Sequence, residues 1–200
     1  MICLTGSNVG SPPQYDEIEI SVFGPGYGES VLIHLGQHEW MIVDSCVDPL
    51  SSQPAPIQYL QNPGVNPTET VKFVVATHWH DDHVRGIGNV FRVCDNAQFV
   101  CSAALRSQEF LTLVEAASTR SMMTSSGVQE FAEIIDILQE RRPKSVRPES
   151  TGPTFAVADR SLWQRRPPDG LPVTVYTLSP SDAAVALAYH EISRLLPEVE

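Results

Sequence analysis

Positive charge is what this chain has least of. Lys and Arg number 13 against 24 Asp and Glu, a formal net charge of −11 over 200 residues. That balance disfavours broad electrostatic attraction to nucleic acid or to an anionic membrane. No apolar run approaches the ~20 residues a bilayer span requires. The N-terminus has no basic region followed by an apolar stretch, so no secretory leader is expected and a cytoplasmic location is. Cysteine is scarce: Cys3, Cys46, Cys94 and Cys101, with no C-x-x-C pair. Without a leader these are expected to be free thiols rather than a disulfide framework, zinc ligation by cysteine being the lesser alternative. No internal repeat is visible. What remains is an ordinary soluble composition, 42% hydrophobic, long enough for one domain with a sizeable core.

Histidine is also sparse, but three of the six lie within six residues, in Thr77-His78-Trp79-His80-Asp81-Asp82-His83. The apolar run Val71-Lys72-Phe73-Val74-Val75-Ala76 leads into it and Gly86-Ile87-Gly88 follows, so the cluster is expected on a loop at the end of a buried strand. His78 and His80 are two apart, and an extended backbone points both imidazoles the same way. Neutral imidazoles beside a carboxylate suit zinc, and also iron or manganese. Asp82 and His83 are adjacent and can face a second ion beside the first; two ions roughly 3.5–4 Å apart can clamp the oxygens of a displacement reaction. A single histidine here would be better explained as a solvated loop residue; four donors packed this closely favour metal.

His78-Trp79-His80-Asp81-Asp82-His83 resembles the H-x-H-x-D-H signature of the metallo-β-lactamase-fold hydrolases. The resemblance implies an α+β fold, an αββα sandwich with one or two zinc ions. It implies that His78 and His80 bind the first metal, that Asp82 and His83 belong to the second, and that Asp82 orients or deprotonates the attacking water. Asp44 ends the apolar strand Trp40-Met41-Ile42-Val43. By itself it reads either as a turn-initiating aspartate or as a residue holding the metal loop from behind; the family, whose members carry an aspartate here, implies the second. The turn Gly26-Tyr27-Gly28-Glu29, together with Leu178-Ser179-Pro180, is similar to the branch related to the DNA-uptake channel and to metallo-hydrolases of bacterial defence systems. That Gly-rich turn joins two strands with no helix after it, so it fails the context test for a dinucleotide cradle.

An irregular arm is expected over residues 1–16 and the metallo-β-lactamase-like domain over 17–200. Alternation and turn residues predict an antiparallel meander of strands near 17–23, 30–35 and 40–45. Helices are expected at 57–61, at 87–93, from a Ser102 cap to about Ala117, from a Ser126 cap over Val128–Arg141, and over Ala183–Leu196. Phe131, Ile134, Ile135 and Leu138 form a stripe that reads as core. Strands are expected at 97–101 and 173–178. The stretch 143–172 reads as a Pro- and Arg-rich loop with a short strand at 154–157, and Trp163 as either a core anchor or a pocket wall, the first being favoured. Arg141, Arg142, Lys144, Arg147, Arg160, Arg165 and Arg166 cluster in 26 residues. They read first as a solvated surface, and second as a strip near the site for phosphate or another anion.

Family members carry a further bridging aspartate or histidine and one more histidine after the Leu-Ser-Pro turn. His190, the only later histidine, sits in a helix interior and reads as a surface or packing residue. The chain therefore resembles the N-terminal half to two-thirds of the fold. Apolar sheet surface would then be uncovered, so self-association or a complementing C-terminal part is expected. Two functions follow. One is a metal-dependent hydrolase attacking a phosphodiester or another ester or amide, on an unidentified substrate, a phosphate-containing one among the candidates, with no membrane partner. The other is a fragment or binding module that keeps the fold without a complete metal site.

Overall fold

The computed structural model describes residues 11–106, 110, 112, 114, 126–141, 152–168 and 170–194. Six strands form one mixed sheet: β1 (Glu19–Gly26), β2 (Gly28–His34), β3 (Trp40–Val43), β4 (Val71–Ala76), β5 (Gln98–Ser102) and β6 (Thr154–Ala156), in that spatial order. The first three pair antiparallel through short turns. The last four run parallel, with helical crossovers between them. The expected meander is therefore present. β3 and β4 are apolar on both sides because both of their faces are covered.

One face carries the helices: α1 (Ala55–Gln61), α2 (Pro67–Thr70), α3 (Asp81–Val84), α4 (Ile87–Val93) and α5 (Ser126–Glu140). Ile57, Leu60, Ile87, Phe91, Phe131 and Ile134 bury there against Leu32, Ile42, Val74 and Phe99, forming the main core. The opposite face is covered by a ribbon of β7 (Arg160–Arg165) and β8 (Val173–Thr177). Leu162, Trp163, Val173 and Val175 pack on Leu35, Met41, Phe73 and Val100. Trp163 is thus a core anchor, edge-on to Phe73 with ring centroids 6.1 Å apart. A last helix, α6 (Asp182–Ser193), follows the ribbon. The architecture is helices on a large sheet on a second, two-stranded sheet, the layering of the expected α+β sandwich.

Several local expectations need correction. Residues 160–165 are a strand, not loop; a bulge between Ser161 and Trp163 breaks the alternation by which the strand would have been read. The Gly-rich turn contracts to Tyr27, because β1 continues to Gly26. The metal loop is only partly loop, since Asp81–Val84 closes one helical turn. Ser102 caps a 3-10 turn at Ala103–Arg106, its Oγ accepting from the Ala104 N–H at 3.2 Å. The rest of the helix expected there lies outside the described residues apart from 110, 112 and 114, as do residues 1–10 of the arm and 142–151. Among the described residues no helix is long and apolar enough to cross a membrane.

Candidate metal centre

β4 delivers the histidine cluster. Past Ala76 the backbone bends at Thr77, Trp79 and His80, and His80, at φ −76° and ψ 150°, leads into the helical turn of α3. Trp79 turns inward, edge-on to Phe110 at 6.3 Å, and packs on the helical core. The rings of His78 and His80 lie 5.3 Å apart and 28° from parallel, and the His80 ring also lies 4.6 Å from that of Trp79. The following helical turn brings His83 back, its ring 5.5 Å from that of His78. Asp82 Oδ2 lies 3.9 Å from His83 Nε2. Asp82 and His83 face an open cleft of about 370 Å³ that is otherwise lined by Gly26, Tyr27, Gly28 and Glu29.

Asp44 stands behind this cluster. Its Oδ1 accepts from the Thr77 N–H at 2.8 Å, its Oδ2 from the Thr77 hydroxyl at 2.5 Å, and Oδ2 lies 2.9 Å from His83 Nδ1. Asp44 adopts φ +57°, a left-handed conformation that aspartate tolerates better than most residues. The conformation is held by the Asp44 N–H donating to the Val75 carbonyl at 2.8 Å and by the Ser30 hydroxyl donating to the Asp44 carbonyl at 2.9 Å. Burial raises the Asp44 carboxyl above its ordinary value, against the bonds from Thr77 and His83. Burial alone would lower the His83 imidazole, but the hydrogen bond and charge of Asp44, with Asp82 and Glu29, overcome it and the net direction is up. The Asp44 bond occupies Nδ1 and leaves Nε2 of His83, 3.9 Å from Asp82 Oδ2, as the nitrogen available to an ion, which is how a carboxylate prepares a metal-binding imidazole.

Two contacts that the sequence did not disclose hold the loop from the helical side. The Gly127 N–H, at the start of α5, donates to Asp81 Oδ1 at 2.6 Å. Glu130, one turn further along α5, accepts from the N–H groups of Gly86 and Gly88 at 2.7 and 2.8 Å and caps α4. The two adjacent aspartates therefore have different tasks: Asp81 ties loop to helix, and Asp82 faces the cleft. Gly28, at φ +93°, approaches so closely that a Cβ would lie 2.8 Å from the Asp82 carbonyl oxygen. Only glycine allows that approach.

The donor set fits a divalent ion in kind: three imidazoles, one with its tautomer set by Asp44, and the carboxylate of Asp82. Among the described residues, no three His, Cys, Asp or Glu side chains converge on one ready-made ion position. Cys46, Cys94 and Cys101 are buried and free; burial pushes the Cys46 thiol up to about 11 and those of Cys94 and Cys101 to about 12. Thiols so disfavoured as thiolates are poor zinc ligands. His190 is exposed on α6. Arg165 and Arg141 do not form an anion strip at the site. Arg165 pairs with Glu39 at 2.5 Å and Arg141 with Asp95 at 3.0 Å, at the end of the sheet where β3 and β5 begin, opposite the metal loop. Arg142, Lys144 and Arg147 lie outside the described residues.

The description of the metallo-beta-lactamase superfamily matches residues 23–172, and the chain belongs to that superfamily. Among solved structures, a B3 metallo-beta-lactamase with an active-site glutamic acid is similar at 23% identity, with a TM-score of 0.33. That match covers 48% of this chain and 35% of the other, so the chain spans about a third of that relative. No curated protein matches.

Proposed function

We propose that this chain carries the first half of the active site of a metal-dependent hydrolase, with His78, His80 and His83 as nitrogen ligands and Asp82 as the carboxylate. The observation that carries this is the Asp44–His83 hydrogen bond of 2.9 Å, which orients one imidazole towards the cleft beside two others. A bound zinc, manganese or iron ion supplies a nucleophile at neutral pH by lowering the pKa of its water. The protein's own part is to hold the imidazoles in register, to keep Asp82 against the cleft as proton acceptor, and to seat the substrate along Gly26–Glu29. The reaction class is attack on a phosphodiester or another ester or amide. The turn at Gly26–Glu29, placed against Asp82 and His83, supports the branch related to DNA uptake and bacterial defence.

Elemental analysis of the purified chain tests the ligand set, with His80→Ala as control. One or two equivalents of zinc or manganese are expected in the unaltered chain and fewer in the variant. No metal in either would overturn the proposal. Hydrolysis of bis(p-nitrophenyl) phosphate compared with a carboxylic ester and a β-lactam then separates substrate classes. A second reading, a binding module without turnover, draws on the lack of a converged donor triad among the described residues. Metal uptake without turnover on any of the three substrates would favour it.

A further inference from the structure

His80 has a partner that the motif does not contain. Helix α6 starts at a Ser181 cap, whose Oγ accepts from the Ala184 N–H at 3.3 Å. Its last turn is anchored by Ile192, which is fully buried in the main core. The adjacent residue, Glu191, is thereby held against the metal loop, with Oε1 3.5 Å from His80 Nε2. That separation is too long for a charge-assisted hydrogen bond, which closes to about 2.7–2.9 Å. It matches what two donors on one tetrahedral ion show: bonds of about 2.0–2.1 Å set them roughly 3.3 Å apart. Both side chains remain about half exposed, and an ion pair of that kind contributes little to stability. Packing of Ile192 accounts for the helix being there; it does not account for a carboxylate facing Nε2 of His80.

We propose that Glu191 is a further ligand, a carboxylate that α6 brings to the divalent ion held by His78 and His80. The inference rests on the proposed function, since it needs that ion. It assigns α6 a direct part in the site. Ion binding then fastens α6 to the metal loop through a contact 111 positions away in sequence, between residues 80 and 191.

The test is zinc affinity, measured by competition with a chromophoric chelator, for the unaltered chain, E191Q, E191A and H80A. Cobalt absorption spectra of the same proteins read the ligand field independently of turnover. Glu191 is exposed enough that the metal-free variants should keep the unaltered circular dichroism spectrum and melting temperature. E191Q and E191A are expected to bind zinc at least about tenfold more weakly and to shift the visible cobalt bands. Zinc binding by E191Q and E191A equal to or tighter than that of the unaltered chain, while H80A loses it, overturns this inference and leaves the proposed function standing. Failure of the unaltered chain to bind zinc overturns both.

Discussion

Aspartate is the residue whose roles here diverge most. Asp44, Asp81 and Asp82 lie within one cluster of contacts, yet the first orients His83, the second caps α5 and the third faces the cleft. Asp44→Asn keeps the shape and removes the charge that holds the imidazole. Metal affinity should fall by about 10–100-fold, read by chelator competition; unchanged affinity would mean that His83 needs no such support. Far from the site, His34 is fully buried, with Nδ1 lacking a hydrogen-bond partner and its ring 4.7 Å from Trp40. Burial lowers its pKa below the ordinary 6.5; the Glu17 carbonyl and Glu19 oppose this, while His38 and Arg165 add to it. Because the unfolded chain then binds the proton more readily, this contribution is fully present above pH 6.5 and is lost as pH falls below it. His83, shifted upward, acts with the opposite sign. The comparison must therefore be between the unaltered chain and His34→Gln: urea midpoints from pH 7.5 to 5.5 should fall less steeply in the variant.

Among the elements, α5 holds the metal loop from the helical side. Its apolar stripe places it on the core, and its first turn then meets the metal loop from below. A Cβ at Gly127 would lie 2.0 Å from the Trp79 carbonyl oxygen, so Gly127→Ala has to displace either the helix or the loop. A loss of about 1–3 kcal/mol is expected, with weakened metal uptake as a second sign. Glu130→Ala strips the Gly86 and Gly88 N–H groups of their acceptor and should cost about 1–3 kcal/mol, measured by denaturant titration. A change of under half that would show that water replaces the carboxylate. The helix itself was legible as a stripe of Phe131, Ile134, Ile135 and Leu138. Its grip on the loop was not, because Glu130 and Gly86 are 44 positions apart and no local pattern pairs them. The β7 strand escaped for a different reason, a bulge that removes the alternation a strand is recognised by.

Over the whole molecule, the two faces of the large sheet are unequally covered. The β7–β8 ribbon lies over β3–β5. On the first strand and its approach, Ile18, Ile20 and Val22 stay 49%, 65% and 64% exposed. They alternate with Glu19 and Ser21, so they share one side of an edge strand, which favours association. A concentration-dependent shift in gel filtration is expected, and Ile20→Lys with Val22→Lys should abolish it. A monomer at all concentrations before mutation would show that the edge is tolerated in water. An added C-terminal polypeptide that covers the same face is the competing occupant.

Residues close in sequence could declare themselves without a structure. The alternation of β1–β3, the apolar run of β4 and the dense spacing of His78, His80, Asp82 and His83 are short-range signals, and each depends only on side chains a few positions apart. The tertiary structure decided which of two neighbouring aspartates faces the cleft, which nitrogen of His83 is left free, that Arg165 and Arg141 are engaged at the far end of the sheet, and that Glu191 reaches His80. Those outcomes depend on contacts between distant parts of the chain. Such contacts exist only once burial of the common core has brought the strands, the helices and the metal loop against one another.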